Sequence, residues 1–159
     1  MALEIERKYL VLSEAFKSEA VKATFIKQGY LSSAPERSVR VRIKGEKAFL
    51  TIKGISNENG TTRFEWEKEI TTADAIDLFQ LCEPGVIEKN RYEVCCGEYI
   101  FEIDEFLGNN QGLVMAEIEL QSETDVFEKP QWLGTELTGD KRYYNSYLVS
   151  NPYKYWNEY

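Results

Sequence analysis

Residues 1–11 read MALEIERKYLV, which sets Glu4, Glu6 and Lys8 on alternate positions and Leu3, Ile5, Tyr9 and Val11 on most of those between. In a strand successive side chains point to opposite faces, so the three charges share one face and the mostly apolar set the other. Taken alone, this is a half-buried strand with a wet, charged side. What decides the fold is that the same alternation returns along the chain.

RSVRVRIKG puts Ser38, Arg40, Arg42 and Lys44 opposite Val39, Val41 and Ile43. Across the Gly45–Glu46 turn, KAFLTIKG alternates Ala48, Leu50 and Ile52 with Phe49, Thr51 and Lys53, the pattern of a hairpin. After the turn-rich SNENG, TTRFEWEKEI sets Arg63, Glu65, Glu67 and Glu69 against Phe64, Trp66 and Ile70. Lys89, Arg91 and Glu93 share a face of VIEKNRYEVCC, and Glu102 and Asp104 a face of EYIFEIDEF. LVMAEIELQ alternates Met115, Glu117 and Glu119 with Val114, Ala116, Ile118 and Leu120. With TFIKQGYL, Thr24 to Leu31, these make eight predicted strands.

Three helical segments are expected between and after them. Ser13 caps the first, SEAFKSEAV, which sets Phe16 and Ala20 on one side. The second runs from Thr71 to Cys82, with Ala75, Leu78, Phe79 and Cys82 at helical spacing and a stop at Pro84-Gly85. The third lies in GDKRYYNSYLVSNP, capped by Asp140 and stopped before Pro152, and is expected to pack on the sheet or close one end of it. Lys141 is assigned no chemistry. Arg142 is left between reaching a cavity mouth and a buried pair with a carboxylate.

A chain of 159 residues suits one domain, and 43% apolar with 29% charged residues is a globular balance rather than a disordered one. No stretch has the length or apolarity of a membrane span, and the N-terminal alternation is not a signal peptide, so a soluble, cytoplasmic protein with no membrane partner is expected. Cys82, Cys95 and Cys96 lack metal-ligand spacing and read as reduced packing residues. The absence of histidine excludes Ser-His and Cys-His nucleophile systems and histidine-ligated metals. A formal net charge of −8 argues against coating a nucleic acid. These features leave a homodimer open.

The pooled polar faces carry Lys8, Arg40, Arg42, Lys44, Lys53, Arg63, Lys89 and Arg91, together with Glu4, Glu6, Glu65, Glu67, Glu102, Asp104, Glu117 and Glu119. An ordinary solvent face mixes in Thr and Ser; this one is nearly all charge. Eight antiparallel strands closed into a barrel would turn these residues into a lumen, with helices packed outside on the apolar faces and on aromatics such as Trp66 and Phe79. A lumen so charged needs charged occupants. Arginine forks and lysine ammoniums on neighbouring strands suit a chain of linked phosphates, and the pairs Glu4/Glu6 and Glu117/Glu119 suit a hard divalent cation. Together they describe a metal-dependent triphosphate site.

EIERKYLV resembles the ExExK signature of the CYTH superfamily, the triphosphate tunnel metalloenzymes. KQGYL, RVRIKG, FLTIKG, EKNRY, FEIDEF, AEIEL and GDKRYYN are, in order, similar to blocks of its short bacterial members, inorganic tripolyphosphatases. The resemblance spans nearly the whole chain and implies a single tunnel domain over residues 1–159: an α+β, mainly antiparallel, eight-stranded closed β-barrel with a C-terminal helix. It implies Mg2+ or Mn2+ held by Glu4, Glu6, Glu117 and Glu119, with Asp104 nearby. Arg40, Arg42, Lys53, Lys89 and Arg91 would grip phosphates, joined by Arg63. Glu4, Glu6 and Lys8 would be the catalytic group, Lys8 either contacting a terminal phosphate or helping to deprotonate the attacking water. The implied reaction is cleavage of tripolyphosphate to pyrophosphate and phosphate by metal-activated water. Class IV-type adenylate cyclisation, with Tyr30 available to stack a base, thiamine triphosphate hydrolysis, a non-catalytic polyphosphate- or nucleotide-binding module and an empty structural barrel are the alternatives.

Overall fold

Alternating faces need partners on both edges, and the chain supplies them by closing its sheet. The computed structural model describes residues 3–158. Its strands are β1 (Leu3–Val11), β2 (Lys22–Ser32), β3 (Arg37–Lys44), β4 (Lys47–Gly54), β5 (Thr62–Ile70), β6 (Ile87–Cys96), β7 (Tyr99–Phe106), β8 (Val114–Glu119) and β9 (Leu133–Glu136). They hydrogen-bond in the order β5-β4-β3-β2-β6-β7-β8-β1-β9, all antiparallel, and β5 pairs again with β1 through Glu4 opposite Arg63. That last pairing closes β1 to β8 into an eight-stranded barrel, as the alternation predicts. Beyond the eight, β9 continues along the edge of β1 where β5 leaves off, with Tyr9 opposite Glu136.

The barrel is packed in three places. Outside β1, β6, β7 and β8, the rings of Phe16, Phe101, Tyr92 and Trp132 meet edge to face around Ile103 and Ile118. Outside β3 and β4, Val41 and Ala48 pack under the helix α2 (Thr72–Phe79) through Ala75, Leu78 and Phe79. The third cluster lies inside. Leu10, Met115, Phe106, Ile87 and Tyr30 continue the inward faces of their strands beyond the charged residues and meet Leu148 and Val149 of the C-terminal segment. That segment therefore plugs one end of the barrel, the second of the two roles expected for it.

The helices differ from the sequence expectation in extent. α1 is four residues, Phe16–Glu19; the Ser13 hydroxyl accepts from the Ala15 amide, so Ser13 starts the preceding turn rather than a two-turn helix. α2 begins as expected, with the Thr71 side chain accepting from the Asp74 amide. The expected C-terminal helix, between Asp140 and Pro152, is broken into a 3-10 turn at Lys141–Tyr143 and α3 (Asn145–Leu148), and a second 3-10 stretch follows at Tyr153–Glu158. Tyr143 and Tyr153 both meet Trp156 edge to face, at 5.1 Å each, so the segment folds back on itself beyond Pro152. Trp66, expected among the outward packing aromatics, is 43% exposed. Among the described residues no helix is long and apolar enough to cross a membrane.

Candidate active site

The inward faces of β1, β3, β4, β5, β6, β7 and β8 enclose a cavity of about 180 Å³, more than ten times the ~10–15 Å³ that one water requires. Register explains its make-up. Lys8 faces Glu117 and Glu6 faces Glu119 across β1 and β8; Arg40 faces Thr51 and Ser38 faces Lys53 across β3 and β4; Arg91 faces Asp104 across β6 and β7. Period two keeps each pair on one side of the sheet, and closure points that side inward.

On the cationic side, Arg91 makes a two-pronged contact with Asp104 at 2.8 and 2.9 Å and reaches Glu102 at 3.1 Å. Lys89 is buried with its ammonium 2.9 Å from Asp104 Oδ2, an oxygen it shares with Arg91, and 2.9 Å from the Asn145 side-chain oxygen. Burial pulls the Lys89 ammonium down to about 7, against the attraction of Asp104. Burial alone would raise the Asp104 carboxyl; Arg91 and Lys89 outweigh it and hold the group at about 2. Arg42 differs from both. It is 8% exposed, its Nε is buried without a hydrogen-bond partner, and among the described residues it forms no ion pair. Burial, with Arg40 and Arg91 close by, brings its guanidinium down to about 9. An unpaired buried guanidinium between two others is a strong attractor for an anion.

The carboxylates gather on β1, β5 and β8. Glu4 is 2.8 Å from the Lys53 ammonium and 3.9 Å from the Arg63 guanidinium; burial raises its carboxyl, but Lys53 and Arg63 bring it down to about 2. Glu6 goes the other way. Burial, then the charges of Glu117 and Glu4, push it up to about 8. Burial works against ionisation of Glu117, yet Lys8, at 3.7 Å, with Arg91 and Lys89 hold it well below the usual carboxylate range. Glu119 is raised by burial and by Glu4 and Glu102.

Among the described residues no three acidic side chains converge as a preformed metal cage. The donor set nevertheless suits a hard cation. The charges of Glu117 and Glu4 work against ionisation of Glu6, and a divalent cation would relieve the same repulsion. Mg2+ in particular is usually held by one or two carboxylates, with water and phosphate oxygens completing an octahedron.

The cavity thus brings together Glu4, Glu6, Lys8, Arg40, Arg42, Lys53, Arg63, Lys89, Arg91, Glu117 and Glu119, as the alternation predicts. Asp104 sits behind them, engaged by Arg91 and Lys89 and outside the cavity lining. Arg142 neither reaches the cavity nor forms a buried pair: it lies on the surface, 2.7 Å from Asp140. Sequence reasoning missed Tyr144, Asn145 and Ser146, which form one wall, and Gln28, which is buried and donates to Asn145 at 3.0 Å. Gln28 carried a signal, a lone amide between Ile26 and Tyr30 on the face that β2 turns inward. Tyr144 and Asn145 lie in GDKRYYN, whose likeness to the family gave them no role, and strand alternation says nothing of a segment outside the sheet.

Comparison with known proteins matches residues 2–147 to the family described as the CYTH domain. The chain is 49% identical over 159 residues to an inorganic triphosphatase of Acetivibrio thermocellus, covering 99% of this chain and 100% of that protein. It is 36% identical over 150 residues to an inorganic triphosphatase of Nitrosomonas europaea, covering 92% and 96%. The crystal structure of the inorganic triphosphatase NE1496 superimposes with a TM-score of 0.66 at 34% identity, covering 94% of this chain and 95% of that one.

Proposed function

The chain belongs to the CYTH domain family, and from that premise we propose that it is a metal-dependent triphosphatase that cleaves inorganic tripolyphosphate to pyrophosphate and phosphate within one tunnel domain. The observation that carries the reading is Arg42, buried and unpaired between Arg40 and Arg91 on the wall of a cavity whose opposite wall is carboxylate. A linked chain of phosphates supplies several anionic oxygens to such a row at once; a single carboxylate ligand would leave most of it unmatched.

Arg40, Arg42 and Arg91, with Lys53, Arg63 and Lys89, bind and orient the phosphates. Asp104 serves this grip from behind, fixing Arg91 and Lys89 rather than facing the cavity. Lys8 has acceptors at Glu117 and at the Tyr143 carbonyl, 3.0 Å away, which suits it as a donor to a terminal phosphate oxygen. Glu4, Glu6, Glu117 and Glu119 are the residues that would hold Mg2+ or Mn2+. When bound, such a cation supplies Lewis-acid charge stabilisation and eases deprotonation of the attacking water. That water forms the new bond to the terminal phosphorus, the bridging P–O bond breaks, and the cations stabilise the charge passing to pyrophosphate.

The test is phosphate release from tripolyphosphate with Mg2+, with Mn2+ and with chelator, beside thiamine triphosphate and ATP. Release from tripolyphosphate that needs a divalent cation and exceeds that from the other substrates is expected. Tight binding without metal-dependent release would point to a binding module, and cyclic AMP formed faster than phosphate would point to a cyclase.

A further inference from the structure

Three consecutive residues of the plugging segment each meet a cation of the cavity. The Tyr143 carbonyl accepts from the Lys8 ammonium at 3.0 Å. The Tyr144 ring lies beneath both Lys8, at 5.1 Å, and the Arg63 guanidinium, at 5.4 Å. The Asn145 side-chain oxygen accepts from Lys89 at 2.9 Å and from Gln28 at 3.0 Å. A carbonyl, a ring face and an amide oxygen have one property in common: each attracts a cation without cancelling its charge.

The contrast with Asp104 gives this its meaning. That carboxylate is shared, two-pronged with Arg91 and 2.9 Å from Lys89, so one negative charge serves two buried cations. A lysine ammonium has three hydrogens to place. That of Lys89 pairs with Asp104, donates to Asn145 and lies 5.4 Å from the Phe106 ring, and Lys89 still lines the cavity. We propose that Asn145 is a positioning residue for phosphate binding, aiming Lys89 from the plug side with a neutral acceptor so that its charge stays available to the substrate. This rests on reading the cavity as a phosphate site.

Asn145→Asp separates aiming from mere fastening. It is nearly isosteric and accepts from Lys89 and Gln28 at least as well, so a residue that only staples the plug would tolerate it. Kinetics on tripolyphosphate with Mg2+, and calorimetric titration with tripolyphosphate in chelator, are to be compared for wild type, Asn145→Asp, Asn145→Ala and Asn145→Ser in the full chain. Asn145→Asp is expected to keep or raise Tm, yet to weaken tripolyphosphate binding and raise KM by about tenfold or more, with kcat changed less. Asn145→Ala is expected to weaken binding by a smaller factor, and Asn145→Ser, a small neutral acceptor, to recover part of that loss. Asn145→Asp binding within twofold of wild type, or binding better than Asn145→Ala, overturns the proposal. Should Asn145→Asp not fold, Asn145→Ala binding as tightly as wild type overturns it, and a loss partly recovered by Asn145→Ser supports it. If wild type binds tripolyphosphate without hydrolysing it, the triphosphatase reading fails, while the order of affinities still decides the role of Asn145.

Discussion

Glu6, half-buried, and Asp104, buried, are acids of one barrel, and they are held in opposite states because their neighbours differ. Asp104 is paired with Arg91 and Lys89, so replacing its charge strands two buried cations. Asp104→Asn should lower unfolding stability by about 3–5 kcal/mol in urea titrations, the loss typical of breaking one side of a buried ion pair; a change under 1 kcal/mol would show the pair to be well solvated. Glu6 is raised by burial and by the neighbouring charges of Glu117 and Glu4, so its ionised form is disfavoured where it stands. Glu6→Gln should therefore raise Tm in chelator at pH 8 while abolishing metal-dependent hydrolysis, stability and function moving in opposite directions. A lower Tm for this variant would contradict the account of Glu6 as a strained acid.

At the scale of the element, the strands that turn their charged rows inward were legible from alternation alone, and β1, β3, β6, β7 and β8 carry those rows on one side up to the apolar plugged end. β9 was not legible, because Leu133–Glu136 is four residues long with a glycine inside and borrows its conformation from the edge of β1. The inward row of β2 was also hidden: Ile26, Gln28 and Tyr30 sit among the plug contacts and the base of the cavity, so the row reads as apolar. The loops have strict requirements of their own. Gly60, with φ of 77°, would carry a Cβ 2.3 Å from the Cα of Gly139, where the β4–β5 loop crosses the segment after β9. Gly60→Ala should cost about 1–3 kcal/mol of stability, read by thermal or urea unfolding. An unchanged Tm would mean that the two loops separate freely.

For the whole molecule, the opposed acids set the dependence of stability on pH. Glu4 and Asp104, depressed to about 2, contribute stability that is present above their unfolded values near 4 and lost as pH falls toward 2. Glu6 and Glu65, raised to about 8 and about 7, keep protons that the unfolded chain releases from about pH 4.5 upward, so stability declines as pH rises to 8. The metal-free protein should thus be most stable near pH 5. Mg2+ or Mn2+ should flatten the alkaline side by replacing the Glu6 proton, which a Tm-against-pH series with and without the ion will show; an alkaline side that the ion leaves unchanged would place the cation elsewhere. Removing residues 140–159 would expose Leu10, Phe106 and Met115 at the plugged end. Dye binding to apolar surface and a marked drop in Tm are expected for that truncation, whereas wild-type Tm would mean the plug adds little to the barrel.

β1 pairs with β5, β8 and β9, making it the strand on which closure of the sheet depends. On a ribosome it precedes all three, and its pairing with residues 115–119 must wait until most of the chain has been made. Until then Glu4, Glu6 and Lys8 stay in water, where their charges discourage premature strand pairing with other chains. Barrel closure is then a late, long-range event, and the folding rate should be governed by the search for that seam rather than by the local hairpins β3–β4 and β6–β7.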